Sequence, residues 1–218
     1  MLGVRLGRAS TEPLRVLLLG AHADDIEIGC GGTMLELARQ YPRLAVDWVV
    51  LSANGERKRE AEAGAARFLA GAAERRVTIE DFRDGYFPYE GGRVKDAFEA
   101  LKSRVAPDLV FTHYRDDAHQ DHRLVAELTW NTFRDHLVLE YEVPKFDPEI
   151  GAPNVFVPLP DALADAKVQS ILDAYPSQQA RPWFAADTFR AVMLLRGVQA
   201  RARYAEAFYC RKAVLAGP

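Results

Sequence analysis

The chain has 218 residues, of which 49% are hydrophobic and 27% are charged, and its formal net charge is −3. This length suits one well-buried domain better than two full-sized ones, and the charge gives no reason to expect a nucleic acid as a partner. The two cysteines, Cys30 and Cys210, are too few and too far apart for a disulfide framework, which excludes the small disulfide-rich secreted class.

The N-terminal sequence and the hydropathy favour an intracellular protein. The first dozen residues, MLGVRLGRASTE, contain scattered arginines but no apolar core of signal-peptide length. No later stretch approaches the roughly 18 consecutive apolar residues that indicate a membrane span. We therefore expect a cytoplasmic protein without a membrane span.

Short apolar runs alternate with amphipathic segments over the first two thirds of the chain. Strands are predicted at residues 14–19, 45–52, 75–80, 108–113 and 137–143, and the apolar runs at 14–19 and 108–113 predict buried ones. Helices are predicted at residues 32–41, 60–71 and 93–105, and from within 114–123 to about residue 134. Strands that alternate with helices in this way predict an α/β protein with a mostly parallel, doubly wound sheet.

The last third of the chain begins with a proline-rich segment. Residues 144–160 hold five of the twelve prolines, which predicts an extended surface excursion without a regular element. Two predicted helices follow, at 161–175 and 186–208, so residues 161–218 are interpreted as the helical C-terminal part of a single domain that spans 1–218. The second predicted helix has more apolar residues than are required to pack one face against the domain. The excess apolar surface suggests a homo-oligomer.

Two clusters of histidine and aspartate follow two of the predicted strands. The first cluster comprises His22, Asp24 and Asp25, and the second comprises His113, Asp116, Asp117, His119, Asp121 and His122. In an open parallel sheet, ligands bind beyond the carboxyl ends of the strands, so both clusters are expected at one edge of the sheet. Four of the five histidines of the chain would then converge there.

Histidine and aspartate together are typical ligands of zinc, although iron(II) and other divalent ions also suit such a set. A catalytic zinc takes three protein ligands and leaves one position for water. The segment DAHQDHR can begin a helix with Asp117 as N-cap and Gln120 at the third helical position, as in a capping box. His119 and His122, three residues apart, would then share a helix face.

The glycines of the segment GCGGT, residues 29–33 with Cys30 and Thr33, allow a second interpretation. A glycine loop before a helix is typical of nucleotide or S-adenosylmethionine binding, although the spacing is not G-x-G-x-x-G. Two nearby carboxylates would repel a pyrophosphate unless a metal intervened. A nucleotide- or S-adenosylmethionine-binding protein remains the alternative hypothesis.

The segments AHADDIEIGCGGT and HQDHR together resemble the LmbE-like, PIG-L family of metal-dependent N-deacetylases, whose patterns are A-H-P-D-D-x-E-x-G-x-G-G-T and H-x-D-H-R. The resemblance continues through NGER, RDGYF, PDLVFTH, SQ and YAEAF, and so covers most of the chain. It implies a Rossmann-like three-layer domain and a zinc-dependent hydrolase that removes acetyl from an N-acetyl amino sugar. The N-acetylglucosamine-type substrate could be linked to a nucleotide, a lipid or another group.

The resemblance also implies roles for individual residues. His22, Asp25 and His122 would bind the metal. Asp24 would be the general base, and His119 would steady the oxyanion or protonate the leaving amine. Zinc acidifies its bound water, so a neighbouring carboxylate needs only to accept the proton.

Four further residues are given roles of a different kind. Arg57 and Asp84 are predicted to contact the substrate, although Arg57 could instead open a charged helix face and Asp84 could be a turn residue before Gly85. Asp121 is predicted to orient a metal-binding histidine, with a helix-start charge as the alternative, and His113 to shape the floor of the pocket. Ala23 stands where the family usually has proline, which would loosen the loop. That departure keeps a third hypothesis open, a family member that binds sugar without hydrolysing it.

Overall fold

The computed structural model describes residues 3, 6 and 12–214, so the expectation on MLGVRLGRASTE falls almost wholly outside the described residues. The strands are β1 Leu14–His22, β2 Leu44–Ser52, β3 Glu74–Ile79, β4 Leu109–His113, β5 Leu137–Tyr141, β6 Val155–Leu159 and β7 Tyr204–Cys210. The helices are α1 Asp25–Gln40, α2 Gly55–Phe68, α3 Gly91–Lys102, α4 Gln120–Thr132, α5 Asp161–Ala174 and α6 Ala186–Ala200.

The seven strands form one sheet in the order β3-β2-β1-β4-β5-β7-β6. The first five strands of this order are parallel, whereas β7 is antiparallel to both β5 and β6. The predicted α/β fold with a mostly parallel sheet is therefore confirmed. The chain runs from β1 outward to β3 and then crosses to β4, so the direction of winding reverses between β1 and β4. Such a switch point is where open α/β sheets bind ligands.

Alternating side chains of β1 enter two different hydrophobic cores. Val16 and Leu18 belong to the core that β1 shares with α1, α2, α5 and α6. Leu17 and Leu19 belong to the core on the opposite face, with α3 and α4. The strand is apolar on both faces because helices cover both, which explains why its sequence is a continuous apolar run.

Helix α1 begins seven residues earlier than predicted, at Asp25 rather than at Gly32, and it bends at Cys30, which has non-helical φ and ψ of −143° and 15°. The glycines lie in this bend because larger side chains would not fit. A Cβ on Gly29 would lie 2.2 Å from the Tyr141 ring, and one on Gly31 would lie 2.6 Å from Phe68. The segment is thus a packing surface within a helix.

The C-terminal third departs from the prediction in two places. The proline-rich segment 144–160, predicted to lack a regular element, contains β6, and the predicted second helix is too long because its end forms β7. The predicted helix 186–208 ends at Ala200, because Arg201 adopts a left-handed conformation (φ 57°) and the chain folds back against Gly197. The segment YAEAFYC then pairs with β5 and β6 as a strand. β6 contains Pro158, which an edge strand tolerates because one side of it needs no partner.

Helix α6 leaves part of its apolar surface exposed. Leu194, Leu195 and Val198 lie on its outer side. The homo-oligomer stays a prediction, since single exposed apolar residues are common on monomers. Within residues 12–214, no helix is both long enough and apolar enough to cross a membrane.

Candidate active site

The two polar clusters meet at the carboxyl ends of β1 and β4, at the switch point of the sheet. β1 ends at His22, and the turn to α1 passes through Asp24, whose φ of 91° is left-handed and strained for a residue with a side chain. β4 ends at His113, and α4 is capped by His119. The predicted convergence of four histidines at one edge of the sheet is confirmed by their ring contacts. They are His22, His113, His119 and His122.

His22, Asp25 and His122 bring three donor groups within 3.5 Å of one another. The Nδ1 of His22 lies 3.2 Å from Nε2 of His122 and 3.4 Å from Oδ2 of Asp25. The Nε2 of His122 lies 3.5 Å from Oδ1 of Asp25. Tetrahedral zinc with bonds of about 2.0–2.2 Å separates its donors by about 3.3–3.6 Å, so the spacing fits a metal ion.

The hydrogen-bond partners assign the protons on both histidines to their outer nitrogens. Nδ1 of His122 lies 3.0 Å from a carboxylate oxygen of Asp117, and Nε2 of His22 lies 3.0 Å from Asp84 and 3.1 Å from Asp121. The inner nitrogens then present lone pairs to each other and to the carboxylate of Asp25. Lone pairs and a carboxylate this close together repel one another unless a positive charge lies between them. A divalent cation would supply that charge.

The ionisation of these groups in the protein alone points the same way. Burial opposes a charge on His22, but hydrogen bonds to Asp121, Asp25 and Asp84 outweigh it and raise the pKa of His22 well above its usual value. Burial likewise disfavours the anion of Asp25, yet the neighbouring His122 and His113 hold its pKa well below the usual range. Without a metal, protons supply the positive charge that this site requires.

His113 lies beneath the three donors and is completely buried. Its Nε2 accepts the backbone N–H of Ala21 at 2.9 Å, and its ring stacks on that of His122 with 3.9 Å between centroids. Burial lowers the pKa of His113 to about 4, so the ring is neutral at pH 7. Its lone pair is already used by Ala21, which suits the pocket floor better than a metal ligand.

The carboxylate of Asp24 lies next to these donors and is held by Arg57. Nη2 of Arg57 donates to Oδ2 of Asp24 at 2.8 Å and to the carbonyl of Ala23, while Nη1 donates to Glu60 at 2.7 Å. Burial raises the pKa of Asp24 to about 7, although the charge of Arg57 opposes the shift. Arg57 lines the pocket as predicted for a substrate contact, but its guanidinium is largely engaged by the loop and by Glu60.

His119 faces the same pocket with a defined tautomer. Its Nδ1 accepts the backbone N–H of Asp121 at 3.2 Å, so the ring proton is on Nε2. The ring lies 4.8 Å from that of His22 and 4.7 Å from that of His122. Burial, together with the charges of His122 and His22, lowers the pKa of His119, so that neutral His119 can donate a hydrogen bond.

Asp84 and Asp121 both contact the outer nitrogen of His22, but they differ in their surroundings. Asp84 is largely exposed and lines the pocket, where it can also meet a substrate. Asp121 is completely buried, and it accepts the backbone N–H groups of Gly85 at 2.6 Å and Phe87 at 3.1 Å. This geometry is the one that the proposed orienting role of Asp121 requires.

The prediction that Asp117 is the N-cap of α4 is wrong, because α4 begins at Gln120 and its N-cap is His119. Asp117 has a different role. One carboxylate oxygen contacts Nδ1 of His122, and the other lies 2.9 Å from Nζ of Lys145 and accepts the N–H of His119 at 2.7 Å. These contacts lower the pKa of Asp117 despite its burial, and they orient His122. The signal available in the sequence was the spacing of Asp117 and His122, five apart across a helix start, but Lys145 comes from the proline-rich excursion and had no such signal.

The nucleotide-binding alternative required the glycine segment to form a phosphate or cofactor loop. The segment forms no such loop, so the alternative is wrong on this point. The N–H groups of Gly32 and Thr33 already donate to the buried carboxylate of Glu206, at 2.8 and 2.6 Å. Lys167 neutralises that carboxylate at 2.6 Å and also donates to the carbonyl of Ile28. The amides that would bind a phosphate are therefore occupied by an internal anion.

Several solved structures share this fold over nearly the whole chain. A conserved protein of Thermus thermophilus is 23% identical, with a TM-score of 0.70 and coverage of 94% of this chain and 98% of that one. N,N′-diacetylchitobiose deacetylase from Pyrococcus horikoshii is 21% identical, with a TM-score of 0.71 and coverage of 90% and 83%. GalB, the 4-carboxy-2-hydroxymuconate hydratase from Pseudomonas putida, is 20% identical, with a TM-score of 0.69 and coverage of 94% and 98%.

At these identities the similarity establishes the fold alone, and one of the three proteins, GalB, is a hydratase. The family is established by a different comparison. Residues 17–133, more than half of the chain, match the model of the PIG-L family, which is described as GlcNAc-PI de-N-acetylase. The resemblance drawn from AHADDIEIGCGGT and HQDHR is thereby confirmed, and the chain belongs to the PIG-L family and is a hydrolase of amide bonds.

Proposed function

We propose that this chain hydrolyses the acetamide of an N-acetyl amino sugar, free or in a conjugate, and releases acetate and the free amine. The observation that carries the proposal is the convergence of three donor groups, from His22, Asp25 and His122, within 3.5 Å of one another and beside the buried carboxylate of Asp24. Membership of the PIG-L family supports the same reaction.

The three donors would hold one divalent ion, and their chemistry favours zinc while also suiting iron(II). When bound, such an ion polarises an amide carbonyl and makes water more acidic. Asp117 contacts His122 and Asp121 contacts His22, in each case at the ring nitrogen that faces away from the other donors. These contacts orient the two histidine rings. His22, Asp25 and His122 are therefore the proposed metal ligands.

Asp24 is the proposed general base. Its carboxylate is buried at the pocket wall, and a pKa of about 7 allows it to accept a proton from water and later release it. A divalent ion beside it would lower that pKa and favour the ionised form before attack. Arg57 holds the carboxylate in place through its 2.8 Å hydrogen bond.

His119 is the proposed oxyanion donor. Its Nε2–H is free to donate to the carbonyl oxygen as negative charge develops there, because Nδ1 is held by the N–H of Asp121. A neutral imidazole donates a hydrogen bond without giving up its proton, so the proton that the leaving amine needs comes from Asp24. Asp84, at the pocket wall, is placed to accept a sugar hydroxyl.

The similarity to a chitobiose deacetylase suggests a substrate panel for the test, and the similarity to a hydratase shows why the reaction itself must be measured. The panel consists of N-acetylglucosamine, N,N′-diacetylchitobiose and UDP-N-acetylglucosamine, with released acetate as the readout. Acetate released from any of the three would support an N-deacetylase. Unchanged substrate with a metal-loaded protein would instead favour a family member that binds sugar without hydrolysing it.

The metal site is tested by mass spectrometry of protein purified without added metal. We expect about one zinc or iron ion per chain in the wild type and little in Asp25→Ala. Asp47→Asn, which removes a partly exposed carboxylate beside Arg76 on the sheet, is the matched control and should retain the ion. A wild-type protein that cannot be loaded with any divalent ion would refute the proposed function.

A further inference from the structure

The pocket above the proposed metal ligands extends well beyond them. It has a volume of about 610 Å³, and the catalytic residues form only one part of its lining. The other part comes from two segments outside the catalytic motifs: the proline-rich excursion, with Phe146 and Asp147, and the connection between α5 and α6, with Arg181 and Trp183. This second part has no role in the chemistry described above.

Phe146 and Trp183 form an aromatic corner in this outer part of the pocket. Their ring centroids are 6.5 Å apart and their planes are nearly perpendicular, at 80°. The ring of Trp183 is fixed from behind by the buried Phe184, at 5.5 Å between centroids, whereas Phe146 is 76% exposed. An aromatic side chain so exposed beside a polar pocket presents apolar area that a ligand can cover.

The charges that line the pocket favour a neutral ligand over a strongly anionic one. Five carboxylates line the pocket, those of Asp24, Asp25, Glu56, Asp84 and Asp147. Of its three cations, Arg57 is bonded to Asp24 and Glu60, and Lys145 to Asp117 and Glu149. Arg181 makes no side-chain ion pair within residues 12–214. A pyrophosphate would therefore find Arg181 as the one lining cation that is not already paired with carboxylates among residues 12–214, beside five lining carboxylates.

A neutral sugar ring suits the same surroundings. One face of a pyranose is lined by C–H groups and packs against aromatic rings, while its hydroxyl groups donate to carboxylates and accept from cations such as Arg181. We propose that the substrate carries a second, uncharged sugar ring, linked to the N-acetyl amino sugar and packed against Phe146 and Trp183. This inference rests on the proposed deacetylase function and narrows its substrate to neutral oligosaccharide-like conjugates.

The first test compares kcat/KM for the disaccharide and the monosaccharide of the panel. The wild type should prefer the disaccharide, and Phe146→Ala and Trp183→Ala should each lower the ratio of the two kcat/KM values by about three- to tenfold, mainly through KM for the disaccharide. Tyr89→Ala is the matched control, because Tyr89 is similarly exposed but lies outside the pocket lining, and it should leave the ratio unchanged.

Two results would overturn the inference. One is a wild type that hydrolyses UDP-N-acetylglucosamine with a higher kcat/KM than the disaccharide. The other is a ratio of disaccharide to monosaccharide that neither aromatic variant changes. Metal content is measured in each variant, so that a damaged site is not mistaken for a lost contact.

A binding measurement separates this inference from the proposed reaction. Calorimetry with the disaccharide and Asp24→Asn, with and without Trp183→Ala, needs no turnover. Binding that weakens three- to tenfold with the added Trp183→Ala would support the aromatic subsite even if no acetate is released, in which case the reaction alone would be wrong. Equal binding by both proteins would refute the subsite whatever the activity.

Discussion

Two regions of the segment GAHADDIEIGCGGT carry similar polar groups but use them in opposite ways. At its start, His22, Asp24 and Asp25 present lone pairs and a carboxylate to a pocket. At its end, the N–H groups of Gly32 and Thr33 are matched by Glu206 inside the protein. Both ends resemble ligand loops in sequence. The first, which we call the open end, faces the pocket and gathers donor groups at the spacing of metal ligands. The second, which we call the closed end, has its backbone amides bound to an internal carboxylate.

The largest expected effect comes from changing the proposed general base at the open end while keeping the three proposed metal ligands. Asp24→Asn removes the proposed base, so kcat/KM for acetate release should fall by about 10²- to 10⁴-fold. The metal content should stay close to that of the wild type, because Asp24 is not one of the proposed ligands. Acetate assays and mass spectrometry on the same preparation check both statements. Retained activity would assign the base to another group, and lost metal would make Asp24 a ligand.

The closed end should respond in stability rather than in catalysis. Glu206→Gln leaves Lys167 as an unpaired buried cation and should lower the free energy of unfolding by about 3–5 kcal/mol, as measured by urea denaturation. Glu99→Gln, at the exposed pair with Lys95, is the control and should change it by at most about 0.5 kcal/mol. A Glu206→Gln protein of normal stability that no longer binds metal would contradict the division between the two ends.

This division could be predicted only in part from the sequence. Apolar runs predicted the fold, and the two clusters of histidine and aspartate after β1 and β4 predicted a polar site at one edge of the sheet, because both are local features. The choice of His22, Asp25 and His122 as ligands came from the family resemblance and stays a proposal. The closed end depends on Lys167 and Glu206, which are far from Gly32 in sequence, and no local pattern indicates them. The same limitation explains β7, whose residues read as a continuation of α6 until the left-handed Arg201 turns the chain back.

A smaller effect should follow from loosening one ligand of the open end. Asp117→Asn weakens the contact that orients His122, so the affinity for the metal should fall by about 10- to 100-fold in a chelator competition assay. Asp116→Asn alters the adjacent exposed carboxylate, which contacts only Arg211 among the ion pairs of the described chain, and should leave the affinity unchanged. Equal affinities for Asp117→Asn and the wild type would mean that the position of His122 in the first turn of α4 suffices to orient its ring.

The smallest expected effect concerns the backbone of the open end. Ala23 stands where the family usually has proline, and its carbonyl is held by Arg57, which also holds Asp24. Arg57 therefore supplies a restraint that proline would supply through its fixed φ. Ala23→Pro should raise the free energy of unfolding by about 0.4–1 kcal/mol with little change in kcat/KM, since proline restricts mainly the unfolded chain. The check is urea denaturation beside acetate release. A destabilised protein would show that the loop depends on a conformation proline cannot adopt, and that Arg57 and Ala23 form a solution specific to this chain.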